Sequence, residues 1–149
     1  METKPLAFLN SYIDHGFPLF PVFGFEGGKC MCGRGCSSPG KHPMLKHGFM
    51  DASREWPQVE QWISDYPGSN WGLVTGEVSD LVVIDIDQKN GGVDRWEDLR
   101  NDFPEPFETV TSRTGGGGYH LWFRMPTGIS LHSRAGVLGP GIDVRANGG

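Results

Sequence analysis

The chain has 149 residues, 37% of them hydrophobic, with five Trp and a formal net charge of −5. That length holds a real core in one domain, and the acidic balance argues against a binder that grips nucleic acid by basic charge alone. Its 23 Gly follow no Gly-X-Y period, which excludes a collagen-like chain; no apolar run reaches the length of a membrane span, and residues 1–16 lack the apolar stretch of a signal peptide, so a cytoplasmic protein with no membrane partner is expected.

Residues 5–15 read as a helix, with Leu6, Leu9 and Ile13 on one face, Phe8 and Tyr12 beside them, and Gly16 as a stop. Residues 17–23 are apolar with two prolines and read as an edge strand. Residues 24–48 form a polar loop without periodicity, of a length that in compact domains is either functional or disordered. It carries Cys30, Cys32, Cys36 and His42 in a C-x-C-x3-C-x5-H pattern. An odd number of closely spaced thiols fits a metal cluster in a reducing compartment better than a disulfide framework. Three thiolates and an imidazole form a tetrahedral set for structural Zn²⁺. The metal would supply the folding energy that a Gly/Ser-rich loop lacks. His47 is the substitute fourth ligand. A closed set of four leaves no open position for catalysis.

Residues 56–66 read as a helix that starts around Pro57 and buries Val59, Trp62, Ile63 and Tyr66. Residues 71–75 form a short strand, and Gly76 follows where a turn is needed. Residues 81–87, Leu-Val-Val-Ile-Asp-Ile-Asp, read as a buried strand expected to pair beside it. Asp85 and Asp87 are two apart and share a face. Neighbouring carboxylates repel, so a divalent cation is the expected partner, and neutralising Asp85 is expected to relieve the metal-free protein.

A turn over 88–92 leads into a helix over 93–103, with Trp96, Leu99 and Phe103 facing inward and Pro104 and Pro106 ending it. Residues 108–112 are rich in strand formers. Four glycines, 115–118, precede a strand over 119–124 that alternates: Leu121 and Phe123 on one face, His120, Trp122 and Arg124 on the other. The glycines are either a hairpin turn or a cradle whose amides, with His120 and Arg124 just beyond, suit a triphosphate. They match neither a P-loop nor a dinucleotide fingerprint. A loop over 130–141 precedes a short strand over 142–145, with Asp143 and Arg145 on one face.

Three pieces occur in an informative order: Asp85-Ile-Asp87, then Gly115–Gly118 leading to His120-Leu-Trp-Phe, then Gly141-Ile-Asp143-Val-Arg145. With Ser38-Pro-Gly-Lys-His42-Pro after the cysteines and Gly72-Leu-Val-Thr-Gly76 before the aspartate strand, the chain resembles the primase-polymerase (prim-pol) domain of the archaeo-eukaryotic primase superfamily. More closely, it resembles the N-terminal bifunctional primase/polymerase domain common in plasmid, phage and prophage replication proteins.

The resemblance implies an α+β fold: a mixed sheet in an RRM-like catalytic core, with an N-terminal αβ unit and a zinc-binding loop, about 24–48, inserted in one domain spanning 1–149. Relatives usually continue with another strand and helix and often a helicase domain, so a C-terminally truncated chain and a helicase domain or partner are expected. It implies template-directed nucleotidyl transfer from dNTP or NTP on a single-stranded DNA template and primer. Asp85, Asp87 and Asp143 would hold two Mg²⁺ or Mn²⁺ ions, and His120 would contact the incoming nucleotide's phosphates. Gly117, Gly118, Arg124 and Arg145 are further nucleotide-contact candidates, and Lys41, Lys46, Arg113, Arg124 and Arg134 are available to template phosphates. The rival readings are a non-catalytic zinc-containing module that binds single-stranded nucleic acid, and a metal-dependent nuclease using the same carboxylates.

Overall fold

A computed structural model describes residues 4–103 and 108–149; Pro104 and Pro106, expected to end a helix, lie outside the described residues. The class is α+β, as expected, with three α-helices and antiparallel ladders among the described residues, so the sheet expected to be mixed is antiparallel throughout its strands. The chain forms two compact units, Met1–Val74 and Thr75–Gly149. No helix among the described residues is long and apolar enough to cross a membrane.

In the first unit, α1 (Lys4–Asp14) and α2 (Trp56–Asp65) pack on a two-stranded antiparallel sheet of β1 (Leu19–Val22) and β4 (Asn70–Leu73). Leu9, Leu19, Val59 and Trp62 form the core, with Ile13, Ile63 and Tyr66 against it, so Leu9 and Ile13 of the first helical stripe and the whole of the second face the core. The strand expected beside 81–87 pairs instead with β1, because Phe20 lies opposite Gly72. A Cβ on Gly72 would come within 2.4 Å of the Phe20 ring, so the glycine lets the aromatic cover its strand.

The loop over 24–48 is more ordered than its composition suggests. It contains a small hairpin, β2 (Phe25–Glu26) with β3 (Lys29–Cys30). Its base is tied down by Phe23 N–H to His42 O, Met44 N–H to Pro21 O, and Asn70 Nδ2–H to Gly40 O.

The second unit holds a four-stranded sheet in the order β6–β7–β5–β8: β5 (Leu81–Ile86), β6 (Val110–Arg113), β7 (Tyr119–Arg124) and β8 (Ile142–Arg145). Helix α3 (Gly92–Asp102) follows β5. This is the βαββαβ order of ferredoxin-like domains with the coil over 125–141 in place of the second helix. Ile86, Leu121 and Ile142 form its core, packed by Ile84, Val93, Trp96, Leu99 and Phe123. Phe103, expected to face inward, is 72% exposed, because α3 stops at Asp102 and Phe103 leaves helical geometry.

Two glycines set the register of β8. A Cβ on Gly92 would lie 2.1 Å from Gly141 O, and one on Gly141 would lie 2.6 Å from Gly92 N. Gly141 also has φ +75°, and its carbonyl accepts the Asp87 N–H at 2.7 Å. Only two residues without side chains allow α3 and β8 to start this close together. Gly141→Ala should therefore cost about 2–4 kcal/mol, combining positive-φ strain with overpacking. The measurement is the urea midpoint, and an unchanged midpoint would contradict this account.

Candidate functional site

The face of the sheet opposite the Ile86–Leu121–Ile142 core follows from strand parity. On β5, Asp85 lies opposite His120 of β7 on one side and opposite Asp143 of β8 on the other. Arg145 lies opposite Val83, two residues along the same face. Alternation thus sends Leu121 and Phe123 to the core and His120 toward Asp85, as the sequence pattern predicts. His120 is not packed among the apolar side chains: its side chain is 41% exposed, with Nε2 3.3 Å from Asp85 Oδ1.

Arg145 closes the group. One of its nitrogens, Nη2, lies 3.3 Å from Asp85 Oδ2 and 2.9 Å from Asp143 Oδ2. The other Asp143 oxygen accepts the Gly136 N–H at 2.8 Å. The His120 imidazole, and then the Arg145 guanidinium, hold the Asp85 carboxyl below the ordinary carboxylate range against the effect of its partial burial.

Asp87 follows β5 and faces a different task. Its oxygens accept from Lys89 N–H at 2.9 Å and Asn90 Nδ2–H at 2.6 Å, capping the short 3₁₀ turn Gln88–Asn90. Among the described residues, the group of three or more Cys, His, Asp or Glu ligand atoms lying within 4.8 Å of one another is the cysteine–histidine set; the three carboxylates are not drawn together to that degree. Asp85 and Asp143 nonetheless fit a hard divalent cation. They offer charged oxygens from adjacent strands, and a cationic nitrogen already lies between them.

Of the other nucleotide-contact candidates, Gly117 and Gly118 serve the β6–β7 turn. Gly117 N–H donates to Thr114 O and Gly118 N–H to Thr114 Oγ1. Gly118 is further constrained because a Cβ there would lie 1.9 Å from Ile86 O. Open space surrounds Gly115 and Gly116. Arg124 shares the face of His120 but lies opposite Leu81, at the far end of β5, 92% exposed and 4.0 Å from Asp80. Of the template candidates, Lys41 and Lys46 fall in the first unit and Arg113, Arg124 and Arg134 in the second.

The second metal-type site is in the first unit. Cys30, Cys32, Cys36 and His42 present ligand atoms all within 4.8 Å of one another, with Cys30 Sγ 3.3 Å from His42 Nε2. The His42 ring is set against Phe23, centroids 4.6 Å apart. The Cys32 and Gly40 amides turned onto the Cys30 sulfur bring that thiol down to about 6. Cys36 is pushed up to about 11 by desolvation, then by hydrogen bonding and charge from the other two sulfurs. A dication would offset the desolvation and the charge of the neighbouring sulfurs that raise the Cys36 thiol, and the donor set is one zinc takes. His47 is not part of the set: its Nδ1 and N–H both engage Asp51, at 3.0 and 2.9 Å.

Sequence reasoning missed the Gly136 amide on Asp143 and the bridging position of Arg145. A bend signal in Ala135-Gly136 pointed to the first, and the i, i+2 spacing of Asp143 and Arg145 to the second.

No curated protein and no solved structure matches the chain. A family model described as bifunctional DNA primase/polymerase, N-terminal, matches residues 9–149. That family's function is of the primase/polymerase type, on nucleotides and DNA. A match over nearly the whole chain places this protein in the bifunctional DNA primase/polymerase (Prim-Pol) family.

Proposed function

We propose that the chain carries out template-directed nucleotidyl transfer, extending and starting strands in plasmid- or phage-type DNA replication, with divalent metal ions at the sheet face. The observation that carries this reading is Asp85 on a central strand, directly between His120 and Asp143. Asp85 and Asp143 would hold the ions, with Asp87 joining them by giving up its cap on the 88–90 turn. Bound Mg²⁺ or Mn²⁺ supplies Lewis-acid activation of the attacking hydroxyl and of the leaving oxygens.

The residues of the chain do the rest. His120 is anchored by Asp85 and still exposed, so its ring donates to a phosphate oxygen of the incoming nucleotide and steadies charge on the leaving pyrophosphate. The Gly115–Gly116 tip is open enough for a phosphate to approach the backbone. The single-stranded template needs a positive track, for which Arg113 and Arg134 are candidates on the same unit as the carboxylates.

The test is primer extension and de novo synthesis with dNTP or NTP, with and without Mn²⁺, beside a control lacking nucleotide. Synthesis that depends on nucleotide and metal is expected. Metal-dependent cleavage of DNA in the control, with no synthesis, would favour a nuclease instead. In the same assay His120→Ala should weaken dNTP binding by about 1.5–3 kcal/mol, the range for a hydrogen bond to a charged group. That is roughly one to two decades in Kd, with metal binding in the absence of nucleotide nearly unchanged. Equal dNTP affinity in mutant and wild type would make His120 a structural residue.

A further inference from the structure

We propose that Arg145 is the site's resident counter-cation, which binding of a metal ion displaces and which then engages the phosphates of the nucleotide. The inference rests on the metal reading of the preceding section and extends it to a residue that reading leaves without a task. A single nitrogen, Nη2, contacts Asp85 and Asp143 on two different strands. A divalent ion shared by those carboxylates must lie between the same oxygens. Two cations cannot occupy one gap between carboxylates, so the guanidinium has to withdraw as the ion enters.

Arg145 is able to do so. Its side chain is 45% exposed, and its stem is long and flexible. Once freed, the planar fork suits a phosphate better than any other side chain. The withdrawal costs two ion pairs when metal binds alone. When a triphosphate arrives with the metal, the guanidinium gains a new anionic partner at the same face. Metal and nucleotide are therefore positively coupled through one side chain, and by linkage each tightens the other by the same factor. Empty of nucleotide, the site holds metal weakly. His120 does not duplicate this role, because it contacts Asp85 alone at 3.3 Å.

The experiment measures metal binding directly, by loss of the free Mn²⁺ electron-spin-resonance signal on titration into wild type, Arg145→Gln and Asp85→Asn, with and without dATP. Arg145→Gln should bind Mn²⁺ about tenfold more tightly than wild type without nucleotide, having lost the competing charge. It should lose most of the enhancement that dATP gives the wild type. Asp85→Asn should lose the site. If Asp85→Asn loses Mn²⁺ while Arg145→Gln binds it no more tightly than wild type, the displacement idea is overturned and the metal reading stands. If Asp85→Asn binds Mn²⁺ like wild type, the metal reading itself fails and the inference with it. A second measurement needs no variant: in ¹⁵N-labelled wild type, saturating Mg²⁺ should shift the Arg145 Nε–H resonance and dATP should shift it again. A resonance that stays in place at Mg²⁺ saturation overturns the proposal.

Discussion

Asp85→Asn should reduce nucleotide incorporation by about 10³-fold or more, since on the proposed reading it removes one charge from the group that would hold the metal and frees the histidine that would contact phosphate. The protein should stay folded. The earlier expectation that neutralising Asp85 would relieve the metal-free protein is reversed by the geometry. Asp85 lies between His120 and Arg145, so its charge is attracted on both sides and the Asp143 repulsion is screened by the shared guanidinium. The substitution should therefore destabilise by about 1 kcal/mol, as expected for a partly exposed pair. Single-turnover incorporation and a urea titration on one preparation separate the two effects. Synthesis within tenfold of wild type would remove Asp85 from the reaction.

Removing zinc should have the other large effect, and a local one. Purified protein should contain one zinc per chain, and a strong chelator or Cys36→Ser should release it. Structural zinc contributes about 10–16 kcal/mol of apparent binding energy in small peptides at neutral pH, and the residues between Gly24 and His42 have little buried apolar surface of their own. Phe25 is 55% and Met31 43% exposed. The Leu9–Leu19–Val59–Trp62 core lies outside the loop, so far-ultraviolet helix signal should persist. Trypsin cleavage at Lys29, Arg34 and Lys41 should accelerate by orders of magnitude after chelation. Absence of zinc on elemental analysis, or unchanged digestion, would refute the site.

Residues whose position depends on local periodicity were legible in the sequence. The alternation of His120, Leu121, Trp122 and Phe123 assigned both faces of β7, and the helical stripes of Leu9 with Ile13 and Val59 with Trp62 assigned the first core. The zinc-type set was legible because all four ligands lie in one loop. Pairing across distance was not. Residues 71–75 and 81–87 are both apolar and adjacent in sequence, but the Phe20–Gly72 fit commits the former to β1. Local partners of groups with two options were not legible either. The amides of Gly117 and Gly118 donate to Thr114, His47 engages Asp51, and the Asp87 oxygens cap the turn that follows it. In each case a nearby partner was satisfied at lower entropic cost than a distant ligand, and sequence spacing does not rank such competitors.

The strand carrying Asp143 is held differently from the strand carrying Asp85. β5 is paired on both sides, with six register positions against β7, and Ile86 on it is fully buried. β8 has four against β5, and on its outer side Val144 exchanges hydrogen bonds with Arg134 in irregular coil. Opening of a protein below its global unfolding energy begins where pairing is sparse, so β8 should part from β5 more often than β7 does. Arg145 and Asp85 are 60 residues apart in sequence, so each such opening would part these two side chains while leaving β5 paired with β7. An ion shared by Asp85 and Asp143 would then act as a crosslink between a persistent strand and a transient one. Its binding energy would be spent partly on holding the sheet closed, and occupancy would set how long the catalytic face survives between openings.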